Sequence, residues 1–444
     1  MLWSRLRVAG HFTPLGCGHH PVTGDSVPPM QILFVHQNFP GQYRYLARHF
    51  GADPAWDTWA IGEKANVLRQ GPYVPREGVR LLGYDMPPAN GIVKGAAAEY
   101  DRQLARAQRV AAVALRQREQ GLDPDVICSH PGWGDSLYLR EVFPRAKFLS
   151  YFEYYARPDG PVVDFDPEFP VDIAGRMHYR SRNALNLLTL EMAHAGVCPT
   201  RWQWSTFPAE FRDRIRVIHD GIDTAIVAPV PATRVVLDGP AGPLSLDEND
   251  EIITYSVRNL EPNRGFHVFM RALPELQRRR PGAITVIVGG DEISYGAPHA
   301  SGKSWREVML DEVGAELDLK RVLFLGKVPY ARLLDLFRIT SLHIYLTSPF
   351  VLSWSMLEAM ACGAPVLASA TPPVAEVIED GRNGFLFDFH DPAGLAARAD
   401  ELLSQPALRR RIGAAARDHI VEHYDLASRC LPAHRALIEE LVAR

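Results

Sequence analysis

The stretch SLHIYLTSPFVLSWSMLEAMACGAPVLAS (residues 341–369) predicts one complete unit of a parallel α/β fold. A short apolar run at 341–347 indicates a strand, and another at 365–369 indicates a second strand. Between them, residues 354–361 indicate a helix that ends at Gly363, since glycine commonly follows the last turn of a helix. A strand, a helix and a strand in this order predict two parallel strands joined by a helix.

The same alternation of short apolar and longer amphipathic segments extends in both directions from this unit. Further strands are predicted at 31–37, 125–130, 147–155, 251–257, 283–289 and 321–326. Helices are predicted at 41–50, about 97–120 and 180–195. We therefore predict an α/β protein with two doubly wound, Rossmann-like domains that face a central cleft. In such folds ligands bind at the carboxyl ends of the strands.

A segment without periodicity divides the chain. Residues 227–249 are rich in Pro, Gly and Ala, which predicts a linker between the domains. The first domain is then expected at 30–226, the second at 250–425 and a C-terminal helix at 426–444. Residues 1–29 lack the continuous apolar core of a signal peptide and precede the first strand. We expect them to be a disordered or untranslated leader.

The composition excludes several classes of protein. A net charge of −4 over 444 residues gives no bulk attraction to nucleic acid. The five cysteines are widely spaced, mostly in apolar runs, which favours core thiols in a reducing cytoplasm over disulfides or a metal site. No run of 18 apolar residues predicts a membrane span. The arginine-rich helix at 101–120 could contact an anionic membrane surface, but a solvated face is the favoured interpretation.

Two arginines follow the first strand of the second half. Arg258 comes directly after the apolar run, and Arg264 lies at the opening of the next helix, in RNLEPNRG. The free N–H groups and the dipole at a helix start favour an anion, and guanidinium groups add charge and paired hydrogen bonds. A diphosphate would suit such a site. The alternative is a pair of solvated surface arginines, but the position at the end of a strand favours function.

The loop that leads into the helix of the opening stretch is a second candidate site. The amides of Val351, Leu352 and Ser353 would point outward from the helix start, toward phosphate or sugar oxygens. Glu358 could instead form a capping box with Ser355, in which case it only completes its own helix. The sequence alone leaves these two roles of Glu358 equally open.

Candidates in the first half also follow strands. Gly41 would let the backbone approach a ligand closely, but no GxGxxG motif accompanies it, so nicotinamide dehydrogenase chemistry is unsupported. His130 follows a strand and is expected to face the cleft, against the alternative of a hydrogen-bonded structural histidine.

Taken together, these motifs resemble family 4 glycosyltransferases of the GT-B fold. ILFVHQNFPGQYRYLA resembles the opening of one bacterial N-terminal domain type in that family. Four motifs of the second half resemble the family's shared donor domain. They are RNLEPNRG, GKVPYARLLDLF, EAMACGAPVLAS and EVIEDGRNGFLF. The resemblance covers nearly everything from Met30 onward. It implies retaining transfer of a hexosyl unit from a nucleotide diphosphate sugar, bound by the second domain, to an acceptor hydroxyl held by the first.

The resemblance also implies roles for individual residues. Arg258 and Arg264 match the Arg and Lys that bind the diphosphate, with arginine in place of lysine. Glu358 matches the second glutamate of the family's E-x7-E motif, which holds the ribose hydroxyls. His130 matches a histidine near the anomeric carbon, and Gly41 matches a glycine of the loop that approaches phosphate and acceptor.

Phe350 departs from the family pattern, which has the first glutamate of E-x7-E at this position. Phenylalanine cannot accept a hydrogen bond, so a mechanism that needs a carboxylate here is excluded. In this family the departing phosphate is thought to take the acceptor proton, so the protein mainly positions groups and stabilises charge. We expect Phe350, with Trp354, to give a more apolar sugar pocket suited to a deoxysugar. Gly326 to Val328 are expected beside the base.

Two further sites complete these predictions. Glu153, Tyr154 and Tyr155 are acceptor-side candidates because an acid and aromatic rings gather at a strand end, although a structural glutamate is equally open. The DFD sequence at 164–166 resembles the Asp-x-Asp metal clamp of another glycosyltransferase architecture, but we favour a polar loop and expect no metal or other cofactor.

The resemblance implies a cytoplasmic enzyme that closes its domains to assemble the site. Its expected acceptor is a bacterial surface glycan or a lipid-linked precursor, with possible peripheral contact to the inner face of the membrane. Two alternatives stay open. A GT-B sugar nucleotide epimerase needs carboxylates in the cleft, which Phe350 disfavours, whereas a non-catalytic sugar nucleotide binder is favoured by Phe350.

Overall fold

Seven strands form the first of two large sheets in the computed structural model, which describes residues 28–88, 94–239 and 242–444. They are β1 (Met30–Val35), β2 (Trp56–Glu63), β3 (Val79–Tyr84), β4 (Val126–Ser129), β5 (Lys147–Tyr151), β6 (Ala195–Cys198) and β7 (Ile215–Val217). Their order is β3-β2-β1-β4-β5-β6-β7, and all neighbours are parallel. The carboxyl ends therefore meet at one edge, where such folds bind ligands.

Both faces of this sheet are buried. Ile32 and Phe34 of β1 pack in one apolar cluster, and Leu33 and Val35 pack in another, so β1 is a continuous apolar run. The helices of this domain are α1 (Arg44–Gly51), α2 (Lys64–Gln70), α3 (Ala96–Arg118), α4 (Leu139–Val142), α5 (Ile173–Arg182), α6 (Ala184–Met192), α7 (Arg201–Thr206) and α8 (Ala209–Arg212).

Two boundaries in the first domain differ from the sequence prediction. The predicted strand at 147–155 ends at Tyr151, so Glu153 lies in a loop. The helix predicted at 180–195 is two helices, because Asn183 separates α5 from α6 and its side chain bonds to the backbone of residue 156.

Most of the predicted linker at 227–249 is a β-hairpin. Its strands are β8 (Arg234–Gly239) and β9 (Gly242–Asp247), which pair antiparallel. Val235 and Leu246 are buried in one cluster with Val286 of the second domain. The prediction of an irregular linker was therefore wrong for these residues. The strands were not recognised because their alternation of buried and exposed positions is short and lies among Pro and Gly residues.

The second large sheet has six parallel strands. They are β10 (Ile252–Asn259), β11 (Ile284–Gly290), β12 (Val322–Gly326), β13 (Leu342–Tyr345), β14 (Val366–Ser369) and β15 (Phe385–Phe387), in the order β12-β11-β10-β13-β14-β15. The helices are α9 (Phe266–Arg279), α10 (Trp305–Val313), α11 (Tyr330–Ile339), α12 (Trp354–Ala361), α13 (Pro372–Ala375), α14 (Pro392–Leu403), α15 (Pro406–Tyr424) and α16 (Leu431–Ala443). The opening stretch thus forms β13, α12 and β14, as predicted.

The chain crosses between the domains twice. The first crossing follows β7 and the second follows α15, and they bond to each other where Ile222 exchanges backbone hydrogen bonds of 2.8 Å with Tyr424 and Leu426. After the second crossing, α16 returns to the first domain and buries Leu437 and Ile438 against the cluster of Ile32 and Phe34. The two crossings therefore form one joint between the domains.

Two expectations from composition can be compared with this fold. Within the described residues, no helix combines the length and the apolar character needed to cross a bilayer. Cys128, Cys198, Cys362 and Cys430 are free and buried, as predicted for core thiols. Residues 1–27 of the predicted leader, which include Cys17, lie outside the described residues.

Candidate active site

Side chains of both domains meet in a cleft between the two sheets. Tyr154, which follows β5, places its ring 4.9 Å from the ring of Phe350, which follows β13. At a second contact, Nε1 of Trp354 donates to Oδ2 of Asp220 at 2.8 Å. The predicted cleft is therefore present, and aromatic and polar contacts bridge it.

His130 is a predicted residue that the structure brings to this cleft. It follows β4, and its Nδ1 accepts a hydrogen bond from the amide of Gly132 at 3.1 Å, which fixes the ring. Among the residues that the structure describes, its buried Nε2 has no hydrogen-bond partner, and it lies 3.6 Å from Oε2 of Glu153. Nε2 is therefore the atom of this ring that can still bond to a ligand.

Of the three acceptor-side candidates, two lie in the cleft. Glu153 is near His130 and accepts a hydrogen bond from Gln42 at 3.3 Å. Burial acts to raise the pKa of Glu153, but the interaction with His130 and attraction to Arg258 outweigh it, so the pKa lies below its usual value. Tyr155 instead packs its ring 5.7 Å from that of Phe207 within the first domain, so the prediction for Tyr155 was wrong.

The predicted Gly41 and an unpredicted histidine lie against each other. Gly41 has a φ of +48°, and a Cβ at this position would lie 2.8 Å from the ring of His36. The His36 ring is 5.5 Å from that of His130, and burial lowers the pKa of His36 to about 3, so this ring is neutral. His36 follows the apolar run of β1, which is the same signal that identified His130.

Asp220 is a second residue that the sequence analysis missed. Its Oδ2 accepts hydrogen bonds from the hydroxyl of Tyr151 at 3.1 Å and from Trp354, so it links the two domains. Burial raises the pKa of Asp220 to about 7. Asp220 lies in the crossing after the last strand of the first sheet, where the sequence gives no periodic signal.

A buried ion network supports the turn after His130. Nη1 of Arg106 donates to the carbonyl of Trp133 at 3.0 Å, and its Nε lies 3.8 Å from Oδ1 of Asp135. Burial raises the pKa of Asp135 to about 7. The predicted solvated face of α3 is therefore wrong for Arg106, which is buried and holds the histidine turn in place.

The two predicted arginines of the second domain have different environments. Arg264 is buried, and its Nη1 donates to Oγ1 of Thr347 at 2.8 Å and to the carbonyl of Val351 at 2.9 Å. Arg258 is exposed near the end of β10 and attracts Glu153 of the first domain. The structure therefore places one rigid and one exposed guanidinium on this side of the cleft.

The loop before α12 agrees only in part with the prediction of free amides. The amide of Ser353 donates to the hydroxyl of Tyr345 at 3.0 Å, so it is not free for a ligand. The side chain of Ser353 caps α12 by accepting a hydrogen bond from the amide of Ser355. The amides of Val351 and Leu352 remain the candidates in this loop.

Glu358 does not form the capping box that the sequence left open. Ser353 rather than Ser355 is the first residue of the cap, and Oε1 of Glu358 accepts a hydrogen bond from the Tyr330 hydroxyl at 2.8 Å. Burial raises the pKa of Glu358. Its carboxyl group lines a cavity between the domains, together with Gly41 and Arg44 of the first domain.

Two family models match this chain, one in each domain. The model for "Glycosyl transferase family 4 group" matches residues 54–227, and the model for "Glycosyl transferases group 1" matches residues 244–419. The chain therefore carries two glycosyltransferase domains, one of the family 4 group and one of group 1. The resemblance seen in the sequence is confirmed at this level.

Curated relatives of this glycosyltransferase include the D-inositol 3-phosphate glycosyltransferases of Acidothermus cellulolyticus and Streptomyces scabiei. Both are 30% identical, over 48% and 47% of this chain and 46% and 45% of the relative. The chain thus spans about half the length of the curated relatives it matches.

Solved structures agree with the fold of this glycosyltransferase. Anabaena Alr3699/HepE in complex with UDP and glucose aligns with a TM-score of 0.64 and 17% identity, over 92% of this chain and 99% of that chain. Sucrose-phosphate synthase from Thermosynechococcus elongatus aligns with a TM-score of 0.69 and 17% identity, over 94% and 100%. The predicted GT-B fold is therefore confirmed.

Phe350 has aromatic neighbours on both sides of the glycosyltransferase cleft. Its ring lies 4.9 Å from that of Tyr154 in the first domain and 5.0 Å from that of Tyr295 in the second. The guanidinium of Arg264 lies 6.0 Å from the Phe350 ring and 5.4 Å from the Tyr295 ring. The polar end of Trp354 is directed to Asp220 instead, so the aromatic partners of Phe350 are the two tyrosines.

Glu261 holds the loop that carries Tyr295. This glutamate is buried, and its Oε2 accepts hydrogen bonds from the amides of Tyr295 at 3.1 Å and Gly296 at 2.9 Å. Glu261 lies within RNLEPNRG, and no role was predicted for it from the sequence. A buried glutamate between two strand-end arginines is a signal that could have identified it.

The residues predicted beside the base lie at the end of β12. Gly326 is the last residue of this strand, and Val328 packs partly buried against the cluster that contains Val286. The structure places both residues but does not bring them into contact with the cleft residues described above, so the prediction for the base stays a prediction.

The DFD sequence at 164–166 lies at an interface rather than in a free polar loop. Asp166 pairs with His267 of α9, and Glu168 pairs with Arg271 of the same helix. Across the described ranges, Asp166, Glu168 and His267 form the group with metal-like spacing, since their ligand atoms lie within 4.8 Å of one another. Asp166 has His267 as its partner and Glu168 has Arg271, so these contacts are explained by pairing between the domains.

Proposed function

We propose that this chain is a retaining glycosyltransferase that moves a hexosyl unit from a nucleotide diphosphate sugar to an acceptor hydroxyl. The observation that carries the proposal is the arrangement of one cleft. A buried guanidinium, Arg264, lies on the second domain, and a histidine–glutamate pair, His130 and Glu153, lies on the first. The two glycosyltransferase domain matches support the same reaction class.

On the donor side, Arg264 would stabilise negative charge on the departing diphosphate. Hydrogen bonds to Thr347 and Val351 hold its guanidinium in place before any ligand arrives, so little reorganisation accompanies the reaction. The exposed Arg258 adds a second positive charge on the same side. HepE was solved with UDP and glucose, so a UDP-sugar is the first donor to test.

Glu358 is proposed to bind the ribose of the nucleotide. Glu358 lines the cavity between the domains, and its carboxyl group can accept hydrogen bonds from vicinal hydroxyls. The hydroxyl of Tyr330, which lines the same cavity, donates a hydrogen bond to this carboxyl group. Gly41 lines the same cavity from the first domain, where the lack of a Cβ leaves room beside His36.

On the acceptor side, His130 and Glu153 would position the acceptor hydroxyl near the sugar. The departing phosphate is proposed to take the proton of that hydroxyl, so no protein carboxylate is needed at Phe350. We further propose a metal-independent enzyme of the cytoplasm, in peripheral contact with the membrane. Its acceptor would be a bacterial surface glycan or its lipid-linked precursor. The names of the curated relatives add D-inositol 3-phosphate to the acceptors worth testing.

Phe350 is proposed to select the donor sugar. Its ring, with those of Tyr154 and Tyr295, offers an apolar wall where a carboxylate would bind sugar hydroxyls. We expect a deoxysugar donor to be turned over faster than its hydroxylated parent. A strong preference for the parent would contradict this part of the proposal and leave the reaction class intact.

A screen of nucleotide sugars tests the proposed reaction. Thermal stabilisation and slow hydrolysis of each donor are measured for the wild type, Arg258→Ala and Glu358→Ala. We expect one donor class to stabilise and be hydrolysed by the wild type, and both substitutions to weaken binding. Isomerised donor without acceptor would indicate an epimerase, and tight binding without turnover on any donor would indicate a binding protein. If neither substitution weakens binding, the donor-site assignment is wrong.

A further inference from the structure

A loop of the first domain reaches across to the second domain. We call residues 157–171, which connect the loop after β5 to α5, the arm. Oδ1 of Asp164 accepts a hydrogen bond from the amide of Val171 at 2.9 Å. Arg176 of α5 pairs with Asp164 and donates to the carbonyl of Pro158 at 2.7 Å. The arm therefore has a defined shape that is fixed to the first domain.

Two aromatic rings of the arm pack on the second domain. Phe165 lies 5.0 Å from Phe389, and Nε2 of His390 bonds to the Phe165 carbonyl at 2.9 Å. Phe169 lies 5.4 Å from Trp305 at an interplanar angle of 86°. Both phenylalanines join the main apolar cluster of the second domain. Apolar burial thus attaches the arm to a domain to which it does not belong.

Two acidic residues that lie between these phenylalanines in the sequence fix the orientation of the arm on the second domain. Oδ2 of Asp166 lies 2.9 Å from Nε2 of His267, and their side chains are only 16% and 3% exposed. Glu168 accepts two parallel hydrogen bonds from Arg271, at 2.6 and 2.9 Å. Bidentate pairing of this kind fixes geometry as well as charge. His267 and Arg271 lie four positions apart on α9, so one face of one helix receives both acids.

The arm connects the two sides of the candidate active site. It begins just after Glu153 and Tyr154, which line the first-domain side of the cleft. The arm contacts α9, which begins just after Arg264 on the second-domain side. A rotation of the domains that moves Arg264 away from Tyr154 must therefore break the pairs of the arm or distort it.

We propose that the arm is an interdomain clamp that positions Glu153 and Tyr154 against Arg264 and Phe350. Asp166 and Glu168, with their partners on α9, are then positioning residues for sugar transfer. The consequence for catalysis rests on the proposed function, whereas the mechanical role of the arm does not.

A matched pair of variants tests the mechanical role. Glu168→Gln and Glu312→Gln each remove one carboxylate partner of Arg271, but only Glu168 lies on the other domain. Hydrogen exchange and small-angle scattering are measured on the full chain without ligand. We expect Glu168→Gln, and more strongly Asp166→Asn with Glu168→Gln, to speed exchange in residues 152–171 and at the start of α9, and to enlarge the radius of gyration.

The Glu312→Gln control should leave exchange in residues 152–156 and the radius of gyration at wild-type values. If both variants behave alike, or if exchange rises only within the arm, the clamp is disproved. Phe169→Ala gives a second test through the apolar contact and should open the domains in the same way. The unfolding midpoint of each variant confirms that the domains themselves remain folded.

Kinetics then test the consequence for catalysis. UDP affinity should be unchanged in Glu168→Gln, because the proposed nucleotide site lies on the second domain, while kcat for transfer should fall about tenfold through lost positioning. An equal loss of UDP affinity, or an unchanged kcat, would contradict the positioning role. If the wild type neither binds UDP nor transfers sugar, the proposed function fails, and exchange and scattering still decide whether the arm is a clamp.

Discussion

The two sides of the cleft differ in how their candidate catalytic and binding side chains are held. On the second domain, Arg264 bonds to Thr347 and to the backbone of its own domain, and Glu358 bonds to Tyr330. On the first domain, several buried atoms lack a hydrogen-bond partner within the described ranges. They include Nε2 of His130, Oγ of Ser129, Oγ of Ser150 and Oδ1 of Asp135. The second domain also has such atoms in the hydroxyls of Ser348 and Thr371, but its candidate binding side chains, Arg264 and Glu358, are both bonded. Unpaired buried groups are uncommon and call for an explanation.

This difference suggests a division of labour between the domains. The second-domain side is preorganised, as expected of a site that stabilises charge on a leaving group. The first-domain side keeps bonding capacity at the carboxyl ends of β4 and β5, as expected of a site that is completed by an acceptor rich in hydroxyl groups. Substitutions on the two sides should therefore have different effects.

The largest effect is expected from the preorganised guanidinium. Arg264→Ala should lower kcat for transfer by roughly 100- to 1000-fold, because charge stabilisation by a fixed donor is lost from a buried position. Arg258→Ala should cost about tenfold or less, since an exposed charge is screened by solvent. Initial rates with the best donor of the screen measure both. Equal losses for the two arginines would contradict the distinction between a fixed and an exposed donor.

A smaller but still large effect is expected on the first domain. His130→Ala should lower kcat by about 100-fold, because the ring that positions the acceptor is lost, while UDP affinity should change little. Tyr155→Phe is the matched control, since Tyr155 follows the neighbouring strand but packs away from the cleft. A large loss of UDP affinity in His130→Ala would place this histidine on the donor side and remove the proposed division.

A residue of this site can be predicted from the sequence when its role depends on a local motif, but not when it depends on contacts between distant segments. Arg264, Glu358 and Phe350 lie in short motifs around one strand, one turn and one helix start, so local patterns together with the family resemblance were enough to select them as candidates. His36, Asp220 and Arg106 act through contacts between distant segments. No local pattern predicts that Arg106 of α3 contacts the turn after His130, so this role became visible only in the structure.

The fold shows the same dependence on sequence distance. Strands buried on both faces, such as β1 and β13, are continuous apolar runs and were predicted from the sequence. The β8–β9 hairpin was missed because it buries one face only, and the arm was missed because its two phenylalanines pack on the other domain. The role of an apolar residue in a polar loop can be recognised only once the surface on which it packs is known.

An intermediate effect is expected at the nucleotide. Glu358→Gln should weaken UDP binding about tenfold, because hydrogen bonds from ribose hydroxyls to a charged acceptor are replaced by weaker ones to an amide. The amide oxygen can still accept the Tyr330 hydroxyl, so the fold should be kept. Calorimetric titration with UDP measures the change. Ser353→Ala removes the side chain that caps α12 and is the control for a helix effect. A similar loss of UDP affinity in that variant would indicate a helix effect rather than ribose binding.

The last effect is expected at Asp220, the residue that joins the two sides, and it concerns stability rather than catalysis or binding. Burial raises its pKa to about 7 in the folded protein, whereas the unfolded chain titrates at the usual value of about 4. Between these pH values the folded state holds a proton that the unfolded state has released. The free energy of unfolding that Asp220 contributes therefore falls as the pH rises toward 7 and is constant above it.

Asp220→Asn removes this dependence, because an amide does not titrate in this range, while its oxygen can still accept from Tyr151 and Trp354. Relative to the wild type, the variant should gain roughly 2 to 3 kcal/mol in unfolding free energy between about pH 5 and about pH 8. Urea unfolding across this range measures the difference, with Asp223→Asn as a control in the same crossing. If the two variants follow the same pH trend, the slope reflects overall charge. Asp220 would then be ionised at neutral pH, and the joint between the two sides would carry a fixed charge as the donor side does.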